Sequence, residues 1–395
     1  MRPALKCRGG VYPRPFAKGW GKPLPYKILA LAVFLFFSAS PACADTTIRV
    51  AIVQHAESVA LSAASGLLVK APNDDVTANG RITVTAGASG LVVDGQRLRS
   101  DRIEVRGRNG DITVNNLTVA GRVTIKRQNG RLMAINEVAL EDYVKGVVPS
   151  EMSAAWHQEA LKAQAMAART YALYKIRQNG KKDFDVTAST KDQVYKGRAG
   201  ADGPAGRAVD ETRGQVLAFQ DEPILAAFFS TAAGPTEDAL NVWSVDLPYL
   251  KGVECPFDMN SPYFQWRTDV WLPLLEQRLR EEGFPVGVIA GLSPAFYTKA
   301  GRVSHVRILH SDGELHIKGE DLRRVLGYTV LSSTQFDFEV VGFQIQFTGR
   351  GAGHGVGLCQ WGAKELAEKG YSAEAIVRYY YPGTEIRDIS SLPRR

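Results

Sequence analysis

Glu151 sits in the stretch "VVPSEM" (147–152), where two β-branched residues run into a proline and a long helical pattern follows. From Ala154 to Ile176 that pattern is apolar or small on every side, which is the mark of a buried helix. It nevertheless carries Gln158, Lys162, Gln164 and Arg169. At about 100° per residue, Gln158, Lys162 and Arg169 fall within about 40° of one another, and Glu151 joins their line if the helix is extended back. A buried charge must be paired or must meet a charged ligand. Two readings of this stripe stand: an ion pair from Glu151 to Lys162 or Arg169 inside a core helix, or one face of a polar cleft. Glu151 alone has two readings as well. A helix N-terminus stabilises a carboxylate as its anion, whereas desolvation by neighbours such as Trp156 or Tyr143 raises its pKa toward that of a general acid.

The second unusual stretch is "TGRGAGHGVGLCQWGA" (348–363), in which alternating glycines let the backbone approach a ligand or another strand closely. It lacks the Gly-Lys-Ser/Thr of a phosphate loop and the spacing of a dinucleotide fingerprint. His354 among those glycines has unusual access and reads as a site residue. Gln360 lies in the same run, and Trp361 either stacks on a sugar ring or fills core. Ser230-Thr231 follow an apolar strand into a turn, where hydroxyls ordinarily cap, and there is no Gly-x-Ser-x-Gly elbow. His354 and Cys359, with Cys255 as a third ligand, are a weak zinc signal. No cofactor and no metal is expected.

Of the 48 lysines and arginines, seven lie in residues 1–44, which contain no acidic residue; beyond them 41 basic residues face 41 acidic ones. The basic pI therefore belongs to the leader, and nucleic acid is excluded as a partner on charge. Lys27, the apolar run Ile28–Phe37 and then Ala42-Cys43-Ala44 have the order of a secretory signal peptide, with cleavage expected after Ala44. An uncleaved anchor over 28–39 is the alternative and would be the chain's only tie to a membrane. Export to the periplasm or cell envelope follows. It leaves Cys255 and Cys359, and whether they bond is open.

Residues 45–136 read as half-buried strands, with Asn109-Gly110 and Asn129-Gly130 as hairpin turns. From 137 to about 390 helices and strands mix: a short helix or turn in 140–148, then the long helix from about Ala154 to Gln178, capped by Ser150 or Ser153. A small-residue loop at 196–211, strands at 214–219 and 223–230, a helix ending at Gly283, strands in 304–310, 336–341 and 343–349, and two closing helices at 360–369 and 372–380 complete it. Strands grouped first and unevenly spaced helices afterwards argue α+β, a β-rich N-terminal region followed by a mixed core with a long buried helix.

Six segments in order, "LEDYVKGVVPSEMSAAWHQEALKAQAMAARTYAL", "QVYKG", "AVDETRGQVL", "FFSTAAGPTE", "LPYLKGV" and "GRGAGHGVGLCQWGAKELAEKGYSAEAIVRYYYPGTEI", resemble the stage II sporulation protein D family. The resemblance implies action on peptidoglycan glycan strands, stripped of their peptides, as a lytic transglycosylase. It places the catalytic acid at Glu151 and makes Lys162, Arg169, Gln193, Tyr195, Ser230, Thr231, His354, Gln360 and Trp361 substrate-contact candidates. It equally implies an alternative, a non-catalytic wall-binding protein that enhances a partner amidase. Thr187–Asp192 lacks the Cys/His cluster that binds zinc in some members, and Pro235 stands where many carry His, so a family-type zinc site is not expected.

Overall fold

The computed structural model describes residues 46–72, 74–78 and 80–393; the expected leader over 1–44 lies outside them. Period-two alternation builds two sheets over the first third. The larger orders as Val186–Thr187, Thr47–Ala56, Arg131–Ala139, Arg122–Gln128, Arg102–Gly107, Leu67–Ala71 and Asp74–Ala78. The smaller orders as Leu117–Val119, Ile112–Val114, Ser58–Ser62, Arg81–Gly87, Gly90–Val93 and Gln96–Arg97. Val59, Leu61, Ile82, Val84, Ile103, Val105, Val123 and Ile125 share one buried core, as expected where alternate side chains of each strand point inward. Thr47–Ala56 also pairs in parallel with Val186–Thr187, so a strand from beyond residue 136 completes the first sheet.

Asn129-Gly130 is the expected two-residue hairpin: both have positive φ and Gln128 pairs with Arg131. Asn109-Gly110 is different. Its flanking strands belong to different sheets, joined there only by a bridge between Gly107 and Gly110. The same dipeptide carries the chain from one layer to the other, a choice made by which strands find partners.

Directly after Ala139 comes α1 (Leu140–Glu151), which carries Pro149 in its last turn and ends as Met152 turns extended. α2 (Gln158–Asn179) then runs through the core with Ala160, Ala163, Ala165, Ala167, Ala168 and Ala172 buried. Its cap is His157, whose side chain accepts the Glu159 N–H, in place of the expected serines. α3 (Pro204–Glu211) lies inside the segment expected to be a loop. Proline suits a first helical position, and Ala205, Ala208 and Val209 bury toward the same core as α2. The expected strand over 223–230 breaks into two short pairings, Pro223 with Ala218 and Phe228–Phe229 in parallel with Leu358–Cys359. Those pairings are followed by α4 (Ala239–Trp243).

A second core then appears within the 137–390 region. Val270, Leu275, Leu279, Val306, Ile308, Leu322, Leu326, Phe336, Ile345 and Phe347 cluster separately from everything described so far. They come from two three-stranded sheets together with α5 (Leu272–Glu281) and α6 (Gly319–Leu326). The chain returns to the first core through α7 (Gln360–Glu368) and α8 (Ala373–Tyr380). The α+β class matches the sequence reading. Alternation alone does not say which core a strand serves, so this inserted subdomain was not visible in it. Among the described residues no helix is long and apolar enough to cross a membrane.

Candidate active site

Glu151 is the last residue of α1, not a neighbour of the N-terminus of α2. The helix does not extend back through it, because Ser153–His157 interrupt the run. The carboxylate therefore sits at the carbonyl end of a helix, which does nothing to favour an anion. Its Oε1 accepts the Val194 backbone N–H at 2.8 Å. Burial raises its pKa above the ordinary glutamate value, against the opposing pull of Val194, the Gln360 amide and Lys196. Gln360 is buried beside it, and its Nε2 makes no well-formed hydrogen bond, so it biases the carboxylate without clamping it.

The ion pair that the helical line suggested is not formed. Lys162 binds Glu159 at 2.9 Å and Glu211 at 2.7 Å. Arg169 is fully buried and grips Glu141 with two bonds of 2.8 and 2.7 Å, while its remaining N–H groups reach the carbonyls of Val209 and Gln215. Both side chains hold α2 to its neighbours and neither meets Glu151.

Gln193 and Tyr195 are buried on either side of the residue that anchors the acid. Tyr143 donates its hydroxyl to Gln193 Oε1 at 3.1 Å, and Tyr195 donates to Asn136 Oδ1 at 3.1 Å. The two tyrosine rings lie 5.1 Å apart. These contacts fix the strand-like segment whose middle N–H meets Glu151, so the two residues position the acid rather than face a ligand. Just before them Asp192 accepts from the Thr187 N–H and hydroxyl and the Tyr171 hydroxyl, with Lys175 at 3.2 Å. Burial would raise its pKa, but the Thr187 backbone, Lys175 and the two hydroxyls outweigh it and lower it.

The glycine-dense stretch wraps against Phe228–Thr231. At Gly357, with φ of +80°, an added Cβ would meet the Ala227 carbonyl oxygen at 2.1 Å; at Gly355, with φ of +84°, it would meet the Arg302 guanidinium at 2.7 Å. Only glycine permits that approach. Thr231 is buried and bonded to Ser261 at 2.6 Å, and Ser230 lies 3.2 Å from Thr231; both hydroxyls serve the turn. Trp361 packs edge-on against Trp156 at 5.0 Å. His354 lies between Phe229 and Trp243, at 5.6 and 5.0 Å. Its Nδ1 accepts the Val356 N–H at 3.1 Å, which puts the proton of the neutral ring on Nε2. Burial, with Arg323 and Arg302 nearby, lowers its pKa, so it is neutral near pH 7.

Of the sequence candidates, Glu151 and His354 line one cleft of 610 Å³. The rest of its wall was missed: Tyr171, Lys191 and Asp192 on one side, Trp243 at the end of α4, and Glu320, Arg323, Arg324 and Tyr328 in and after α6. Glu320 is also raised by burial, with Arg323 and Arg302 pulling it back. α6 is eight residues long, and its N-cap makes no side-chain hydrogen bond, so the usual start signal was absent.

Glu151 gives a pH prediction. A carboxyl whose folded pKa is raised contributes stability that is complete below its unfolded value and lost as pH rises through the folded one. Glu151→Gln removes that dependence. The melting temperature of the native protein minus that of the variant should fall as pH rises from about 4.3 through the raised value. A difference that stays flat across that window would contradict the burial argument.

Residues 128–219 match the family model described as stage II sporulation protein, and residues 247–357 match a domain of unknown function, DUF8618, which covers the inserted subdomain. The chain is 35% identical to stage II sporulation protein D of Bacillus subtilis over 273 residues, 65% of this chain and 76% of that protein. It is 34% identical over 311 residues to an uncharacterized protein of Brachyspira hyodysenteriae, 78% of this chain and 83% of the relative. It is 30% identical over 289 residues to the amidase enhancer of Bacillus subtilis, 62% of this chain but only 40% of that protein.

Proposed function

We propose that this chain, which belongs to the stage II sporulation protein D family, is a peptidoglycan lytic transglycosylase with Glu151 as its general acid and base. One observation carries the reading: a half-buried carboxylate with a raised pKa opens on a cleft and is held by a backbone N–H rather than by a cation. Such a group keeps its proton to higher pH than free glutamate and can deliver it.

In the cleft Glu151 protonates the glycosidic oxygen, and the bond from that oxygen to C1 breaks. Positive charge develops over C1 and the ring oxygen, as in other glycoside cleavage. The muramic C6 hydroxyl then closes on C1 and returns its proton to the Glu151 carboxylate, which leaves a 1,6-anhydro end. A single carboxylate does both proton transfers. Asp192, which also lines the cleft, stays ionised but is paired with Lys175 at 3.2 Å, so it takes no part in proton transfer. Trp243 and Tyr328, both part-exposed, offer ring faces to sugars.

Action on the wall also requires export, and the leader over 1–44 is proposed to supply it; N-terminal sequencing of envelope protein that recovered Met1 would count against cleavage. The similarity to an amidase enhancer supports a second reading, in which the chain binds glycan and stimulates a wall amidase. Digestion of purified peptide-free glycan strands, with mass analysis of the ends, separates the two. Anhydro ends support the transglycosylase. Binding without new ends supports the enhancer, and reducing ends formed with water would indicate a hydrolase instead.

A further inference from the structure

The two cysteines of the described chain are 104 residues apart in sequence, yet their side chains meet in the core. Cys255 lies in the loop by which the chain leaves the first core, and Cys359 caps α7 where the chain re-enters it. The second core, with members from Val270 to Phe347, falls entirely between them. Both residues are essentially unexposed. Cys359 Sγ lies 3.3 Å from Asp258 Oδ2, Cys255 Sγ lies 3.2 Å from the Tyr380 hydroxyl, and the two sulphurs with an Asp258 oxygen lie within 4.8 Å of one another. Gly362 leaves room for this: a Cβ there would meet the Tyr380 hydroxyl at 2.1 Å and Cys255 Sγ at 2.9 Å.

We propose that Cys255 and Cys359 form a disulfide bond that closes the base of the inserted subdomain. The geometry favours this over a metal site. Asp258 Oδ2 already accepts the Ala232 and Ala233 N–H groups at 2.6 and 2.8 Å. Among the described residues no fourth histidine, cysteine or carboxylate joins the group, and His354 faces Phe229 and Trp243 instead. A structural zinc takes four ligands, whereas a disulfide needs only the two sulphurs to close to about 2.0 Å.

Formation requires an external disulfide as oxidant. One cysteine thiolate attacks it to give a mixed disulfide and release one thiol; the second cysteine thiolate displaces the other. The two protons lost by the cysteines end on the two released thiols. Because both thiols are buried, the reaction belongs to the folding chain rather than to the finished fold. The bond ties the two crossings to the subdomain that carries Glu320, Arg323, Arg324 and Tyr328, and so sets how far the cleft wall can swing from Glu151. The inference is independent of the reaction proposed above.

The full chain, unfolded and reduced, is refolded with a mixture of reduced and oxidised glutathione and digested without reductant. The expected product is a pair of linked tryptic peptides, residues 252–267 and 351–364, two hydrogens lighter than their sum. Reductant then lowers the melting temperature by about 5 °C, and Cys255→Ser loses this sensitivity. Free alkylation of both Cys255 and Cys359 in the denatured product would overturn the proposal even if the serine variant fails to fold. So would a reductant effect that survives in Cys255→Ser, or one zinc per chain that either cysteine substitution removes.

Discussion

Glu151→Gln should abolish glycan cleavage while leaving the melting curve at neutral pH within a degree or two of the native protein. Glutamine keeps an oxygen that can accept the Val194 N–H, now made at 2.8 Å, but it has no carboxylic proton to give. Loss of a general acid typically costs about 10² to 10⁴ in rate, and a leaving-group acid that makes both proton transfers alone belongs at the upper end. Glu151 has no cation to strand: Lys162 is held by Glu159 and Glu211, and Arg169 by Glu141. The measurement is the yield of anhydro ends from peptide-free strands beside a thermal melt. Full activity in the variant would remove Glu151 from the mechanism and favour the enhancer reading. A collapsed melt would mean that the carboxylate holds the fold. Glu320→Gln is the matching control, since Glu320 is the other cleft carboxyl raised by burial; if it alone abolished cleavage, the acid would have been assigned to the wrong wall.

What the sequence showed of this site follows from the range of the interactions involved. The long buried helix, the Asn129-Gly130 hairpin and the closing helices rest on local periodicity and turn chemistry, and they stand where expected. The junction around Glu151 does not. Ser153, Ala154 and Ala155 are compatible with a helix, and nothing local announces that Met152 turns extended and that His157 takes the capping role. That one interruption moves Glu151 from the start of α2 to the end of α1 and turns a stabilised anion into a raised acid. The far wall of the cleft comes from α6, some 170 residues away, and no spacing rule reaches that distance. Cys255 and Cys359 teach the same lesson, since their meeting depends on how an entire subdomain is inserted. Resemblance pointed to Glu151 because a family motif is local even when its surroundings are not. It named Gln193 and Tyr195 for the same reason, yet only the structure shows that they hold the Val194 N–H in place.

Arg169→Met should be the most destabilising single change proposed here, and it should act through the fold alone. The arginine is fully buried, and its partner Glu141 is half-buried, with 15% of its side chain exposed. Removing the guanidinium leaves Glu141 with the Gly214 N–H at 3.2 Å and frees the carbonyls of Val209 and Gln215 in the interior. Breaking one side of a buried pair costs roughly 3–5 kcal/mol, mostly because a charge is left without compensation. For a chain of this size that corresponds to a fall of about 5 °C in the melting temperature. Arg169→Lys should recover part of the loss by restoring the charge but not the two-pronged grip. The decisive variant is Arg169→Met with Glu141→Leu, which removes both charges and should melt well above the single change. A substrate-contact role predicts another pattern: Arg169→Met would melt normally and weaken glycan binding, and the second substitution would rescue nothing. The double variant therefore tests whether the positive charge in α2 serves the core or the ligand, and the 2.7 Å bond to Glu141 places the expectation on the core.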